Sequence, residues 1–216
     1  MLTGLYPAGH GVHENARYLS ASTPVAAEQL QKAGYRTSAF VSSFVLARRF
    51  GLARGFDTYD DQWSEGAAER SGASTADAAI AALKTATASP QFLWVHFNDP
   101  HAPYTPPEPF KTRYAKTPYL GEVAEMDRNI GRVVAAFEAA TAEPRAIAIV
   151  ADHGEGLGEH GEAQHGHLLY QSTMHVPLVV VGPGIAPGVT DAAVSTRRIY
   201  YTLLDWAGLG GAHSLR

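Results

Sequence analysis

Short apolar runs of strand length alternate with stretches of helical spacing along this chain. That alternation restricts the fold more than any single residue does. Arg145–Val150 and Pro177–Val181 are short, almost entirely apolar runs, the pattern of strands covered on both faces. Tyr35–Val41 and the aromatic-rich Gln91–Phe97 (QFLWVHF) also read as strands. Thr23-Pro24 reads as an N-cap followed by Pro at the first helical position, and Gly34 as a stop. Together they predict a helix over about 24–33. Residues of about 75–87 are alanine-rich and helical. Val123, Met126, Ile130, Val133, Val134 and Phe137 recur at helical spacing and predict an amphipathic helix over about 119–140. Thr196 is expected to cap a last helix running through Trp206. This order predicts an α/β fold with a mostly parallel central sheet flanked by helices. With no repeat and no linker, one domain is expected over 1–216. The polar segment Gly51–Gly72 receives no element.

The bulk composition narrows the class. The 216 residues are 45% hydrophobic and 18% charged, an ordinary globular balance with enough chain for a sizeable core. A formal charge of -4 offers no electrostatic case for nucleic acid or an anionic membrane. No apolar run approaches the roughly 18 residues a membrane helix needs. The opening MLTGLYPAGHG lacks the basic and apolar regions of a signal peptide. With no cysteine, disulfides, thiolate metal sites and cysteine nucleophiles are excluded within these residues.

In parallel α/β sheets, ligands bind beyond the carboxyl ends of the strands. Two segments stand there. HFNDPHAP follows the strand 91–97, and ADHGEGLGEHGEAQHGH follows the strand 145–150. Four of the ten histidines lie in the second. Glu155, Glu159 and Glu162 are expected to face water, as Glu usually does. Asp152 and His153 are different, because they abut a buried strand end. An unpaired carboxylate is costly there, and a metal would pair it. Glycines at 154, 156, 158 and 161 let the backbone turn tightly. Gly156–Gly161 matches G-x-G-x-x-G literally. However, Asp152, His153 and Glu155 intervene after the strand and no helical pattern follows, so a dinucleotide site is not expected. No G-x-S-x-G elbow occurs, which argues against a serine hydrolase of the α/β type. Asn98-Asp99 before Pro100 is expected to turn the chain out of its strand.

LTGLYPAGHGV, PHAPYTPP, YLGEVAEMDRNIGRVV, ADHGEGLGEHGE, LLYQSTMHVPLVVVGPG and TRRIYYTLLDWAGL together resemble the sulfatase family of the alkaline phosphatase superfamily. They occur in that family's order and span nearly the whole chain. The resemblance implies an alkaline-phosphatase-like fold. It also implies hydrolysis of a sulfate monoester through a covalent enzyme intermediate. The family's nucleophile motif and first metal-binding aspartates lie upstream of LTGxYP, and this sequence begins at Met1-Leu2-Thr3-Gly4. The expectation is therefore an N-terminally truncated catalytic domain that is silent by itself.

Carried over position by position, Asp152 and His153 match the late metal-ligand pair and imply one divalent ion. Many members have Asp-Asn there; an imidazole moves preference from Ca²⁺ toward Mn²⁺ or Zn²⁺. His101 matches the family's PH motif and would protonate or stabilise the leaving oxygen. His165 sits where the family contacts the sulfuryl oxygens, with His167 as the runner-up. His160 is a family hallmark expected to brace its loop. At 39–45 the family's sulfate-binding Lys and His are replaced by Ser42 and Phe44. That keeps open a phosphoryl or phosphonate ester hydrolase or transferase on the same scaffold. A non-catalytic binding remnant is the third reading. The implied partner is a small-molecule or glycan sulfate or phosphate ester. Family members are often exported.

Overall fold

Aliphatic and aromatic residues of the predicted strands form the sheet that carries the first loop. The computed structural model describes residues 1–64, 66–85, 89–142 and 144–215. The chain divides into two compact units, residues 2–142 and residues 143–216 with Met1.

In the first unit, β1 (Arg36–Val41), β2 (Thr58–Asp60) and β3 (Gln91–His96) form a parallel sheet of order β2-β1-β3. The register runs Arg36 to Gln91 through Val41 to His96 on one side, and Ser38 to Thr58 on the other. Successive strand side chains alternate faces, and the central strand shows it. Phe40 joins Ala76, Ala79 and Val133 on one face, whereas Ala39 and Val41 join Tyr59 on the other. The helices are α1 (Pro7–His10), α2 (Ala26–Lys32), α3 (Gly72–Leu83), α4 (Phe110–Arg113) and α5 (Pro118–Ala140). Single 3-10 turns cover Phe44–Leu46 and Arg48–Phe50.

The second unit holds β4 (Ile147–Val150), α6 (Gln171–Met174), β5 (Leu178–Val181) and α7 (Arg198–Trp206). A 3-10 turn covers Glu159–Gly161. No helix among the described residues is long and apolar enough to cross a membrane.

Several local expectations need correction. The second helix starts at Ala26 after Val25, with no side-chain cap, rather than after Thr23. Its end is as expected: Gly34 takes the left-handed conformation, φ +87, that glycine adopts most cheaply. α3 starts earlier, at Gly72, where Ser71 caps it by accepting the Ser74 N–H. Residues 86 and 87 of that predicted helix lie outside the described residues. α7 begins at Arg198 without a Thr196 side-chain cap. The short strand β2 lies inside the segment that had no element. β4 and β5 pair antiparallel, Ile147 opposite Val181, instead of joining a parallel sheet. Val179 and Val181 are more than half exposed, the open face that antiparallel pairs tolerate.

On α5 the deepest stripe is not the apolar one. Gly121, Glu122, Glu125, Asn129 and Val133 are its buried residues. The polar ones lie toward the helix start, where the loop after β3 crosses.

Candidate active site

The chain leaves β3 at His96 and enters a loop with prolines at 100, 103, 106, 107 and 109. Proline has no N–H, so this loop has few donors of its own. α5 supplies the acceptors. The buried Glu122 carboxylate takes the His101 N–H on Oε2 at 3.0 Å and the Thr105 N–H on Oε1 at 2.6 Å. Burial pushes the Glu122 carboxyl up, against the two N–H bonds that favour its charged form. Past the end of β3 the chain bends at Pro100, one residue after the expected Asn98-Asp99, and Asp99 Oδ2 accepts the Gly72 N–H at 2.9 Å at the start of α3. Burial raises its pKa as well, again opposed by that bond. The His101 ring is about half exposed, with Nδ1 3.8 Å from Glu69 Oε2, the oxygen that also accepts from Asn98 Nδ2.

Ser42 is fully buried. Its hydroxyl donates to the His96 carbonyl at 2.5 Å and pairs with Thr75 Oγ1 at 3.0 Å. It is a core hydroxyl. Phe44 packs edge-on against Phe50 under the Arg49 guanidinium.

In the second unit, β4 ends at Val150 and delivers Asp152 and His153 to the surface, with side chains 61% and 44% exposed. His153 Nδ1 lies 2.8 Å from the Gly154 carbonyl. A carbonyl only accepts, so Nδ1 carries a proton, and in the neutral ring Nε2 is then the nitrogen with the free lone pair. That is the form a metal-binding imidazole needs. Nε2 lies 3.7 Å from Asp152 Oδ1, close enough for both atoms to reach one cation. The pair therefore fits two ligands of a divalent ion. Among the described residues, no three His, Asp or Glu side chains converge on a metal position.

The loop then folds on itself. The His165 ring lies against the His153 ring, centroids 3.9 Å apart. His165 Nδ1 meets Glu155 Oε1 at 3.1 Å, which turns Nε2 to the other side. Glu155 is buried, and so is Glu162, whose Oε1 accepts the His167 and Leu168 N–H groups at 2.8 and 3.2 Å. The expectation of solvated glutamates therefore holds for Glu159 alone. A buried carboxylate needs donors, and this loop's own backbone and imidazole provide them. His160, in the left-handed region at φ 57, stacks on Tyr170 at 3.6 Å and braces the loop as expected. The Gly156–Gly161 stretch ends in a single 3-10 turn, and the next helix, α6, starts only at Gln171, so the stretch does not open a helix as a dinucleotide site requires. The structure thus brings Asp152, His153 and His165 together, with His167 held by its backbone. His101 is placed by the other unit. Sequence reasoning missed Glu155 and Glu122. The one available signal for Glu155 was a glutamate flanked by glycines two residues past a strand-end ligand pair.

The Sulfatase family model matches residues 1–209, and this chain belongs to the sulfatase family. The chain is similar to human (Homo sapiens) arylsulfatase K, 36% identical over 93 residues, which is 42% of this chain and 17% of that relative. Among solved structures it is similar to the phosphonate monoester hydrolase SpPMH from Silicibacter pomeroyi. The TM-score is 0.78 at 22% identity, covering 100% of this chain and 65% of that one. A structure in complex with its substrate D-glucosamine-2-N,6-O-disulfate matches with a TM-score of 0.77 at 20% identity, over 96% of this chain and 65% of the other. The chain thus spans under two-thirds of these neighbours. They share its alkaline-phosphatase-like α/β fold.

Proposed function

We propose that this chain supplies the late part of the active site of a metal-dependent sulfate monoester hydrolase. The observation that carries the reading is the group Asp152, His153 and His165 at the end of β4, with Glu155 fixing the His165 ring. Asp152 and His153 would hold a divalent ion together with ligands from elsewhere in the enzyme. When bound, that ion supplies Lewis-acid polarisation of a non-bridging ester oxygen. His165 turns Nε2 toward the bound oxyanion. His101 protonates the departing oxygen. The nucleophile that accepts the sulfuryl group comes from the family motif that precedes LTGLYP.

The substrate is a small-molecule or glycan sulfate ester, a reading supported by the disulfated glucosamine of one neighbour. A phosphonate or phosphate ester is the second reading. It is favoured by the buried Ser42 in place of a sulfate-binding side chain and by the phosphonate monoester hydrolase neighbour.

The test uses the protein in its natural full-length chain, assayed in parallel on aryl sulfate, phosphate monoester, phosphate diester and phosphonate monoester. Sulfate turnover should dominate; phosphonate turnover dominating would select the second reading, and no turnover at all would leave a binding remnant. Leaving-group dependence then separates the histidines. General acid help is worth about 10²–10⁴-fold. His101→Ala should lose about that factor in kcat/KM on alkyl esters and much less on nitrophenyl esters. His165→Ala should hurt both alike. A flat response for His101→Ala would remove it from the acid role.

A further inference from the structure

We infer that Glu122 is the positioning residue for His101, acting through the backbone of the PHAPYT turn. The inference rests on the reading of His101 as the acid for the leaving oxygen. Glu122 lies in the first turns of α5 and is 5% exposed. Its two carboxylate oxygens take different N–H groups, His101 on one and Thr105 on the other. One side chain thereby spans the turn and fixes the distance between its two ends.

The contacts beside it are steric and consistent with this role. A Cβ at Gly121 would stand 2.7 Å from Pro106 Cγ, so glycine is what lets the proline segment lie against α5. Tyr104 meets Tyr119 edge-to-face at 5.4 Å. The Arg128 guanidinium lies 5.1 Å from the Phe110 ring centre where the loop ends. These packing contacts seat the loop on the helix. Glu122 in addition accepts the backbone N–H of the residue that carries the imidazole. A position error of about 1 Å at a catalytic group can cost on the order of 100-fold.

Glutamine is the discriminating replacement. It keeps one acceptor oxygen and puts an NH₂ donor against the second N–H, so one end of the turn is released. Aspartate keeps two acceptors on a stem one methylene shorter.

The experiment compares Glu122→Gln, Glu122→Asp, His101→Ala and the double variant Glu122→Gln/His101→Ala in the natural full-length chain. Amide hydrogen exchange at His101 and Thr105 is measured on the same proteins. Glu122→Gln should lower kcat/KM on alkyl esters at least 10-fold and on nitrophenyl esters much less. Glu122→Asp should recover part of the loss. The double variant should be no worse than His101→Ala alone. Protection of one or both amides should fall in Glu122→Gln. Equal losses across leaving groups, or losses that multiply in the double variant, would overturn the inference. So would unchanged exchange at both amides. If His101→Ala itself responds flatly while Glu122→Gln still loosens the two amides, the acid reading of His101 fails and the holding of the turn stands.

Discussion

The loop after β3 and the loop after β4 start alike, each at the carboxyl end of a strand, and are held in opposite ways. The first is stiffened by prolines and gripped from outside, by Glu122 and Gly121 of α5 and by the start of α3 through Asp99. The second is rich in glycine and is held mainly by its own residues, with α6 next along the chain as its other support. Its Glu155 and Glu162 turn inward to a ring and to backbone N–H groups within ten residues. Gly154 N–H and Gly156 N–H bond the Thr173 and Gln164 carbonyls. The difference teaches that a reactive side chain can be placed by distant packing or by local chain geometry. Substitutions should be felt at different points in the two cases.

The largest expected effect lies in the self-held loop. A Cβ at Gly154 would stand 2.0 Å from the Ser172 carbonyl oxygen, and one at Gly156 2.3 Å from that of Gln164. Both obstacles are backbone and cannot rotate away. Forcing a methyl into packed structure costs about 1–3 kcal/mol and sometimes more, and these approaches place Gly154→Ala and Gly156→Ala at or above the top of that range. Gly121→Ala in the other loop meets a proline ring atom at 2.7 Å, which can pucker aside, and should cost about 1–2 kcal/mol. Denaturant unfolding checks the order. If Gly121→Ala is the costlier, the loop after β4 is not the tighter one.

The second effect sharpens the contrast between the buried glutamates. Glu162 takes two N–H groups on one oxygen, Oε1, whereas Glu122 uses both oxygens. Glu162→Gln keeps the oxygen that matters and should change stability by less than about 1 kcal/mol. Glu162→Ala leaves two donors without their acceptor and should cost about 1–3 kcal/mol. Thermal unfolding of both variants decides it. Equal losses for Gln and Ala would show that the carboxylate charge, not its oxygen, holds the loop.

Much of this was legible in the sequence, for identifiable reasons. The strand cores and the long helix carry hydrophobic patterns that declare themselves. Asp152 and His153 stood out as charge expected beside a buried strand end, but the strand is only partly buried and both side chains are exposed, so that cost is not what marks them. What was not legible is what pattern does not encode. β2 has one buried residue, Tyr59, in three, too few to show a period. The apolar runs at β4 and β5 say nothing of strand direction. Glu155 and Glu162 read as surface residues because Glu usually is. Glu122 was masked by the apolar positions around it, and its partners lie 17 and 21 residues earlier.

The smallest expected effect concerns pH and the externally held loop. Asp99 accepts the N–H of Gly72, the first residue of α3, and is raised by burial above its ordinary value. The native carboxyl then holds its proton more tightly than the unfolded one. Below the unfolded value, near 4, both states are protonated and nothing is lost. As pH rises from there through the folded value, the native state must ionise a buried group, and its stability falls. Asp99→Asn keeps an oxygen for the Gly72 N–H and does not titrate. It gives up a charge-assisted bond but also the desolvated charge, so its net effect at neutral pH should stay within about 1 kcal/mol. The signature is in the slope. Stability of Asp99→Asn relative to the parent should rise as pH goes from about 4 toward neutrality, read from denaturation midpoints across that range. A relative stability that falls instead would mean that the Gly72 N–H, and not burial, governs Asp99. The bond to α3 would then favour the carboxylate, as the start of a helix does for an exposed anion.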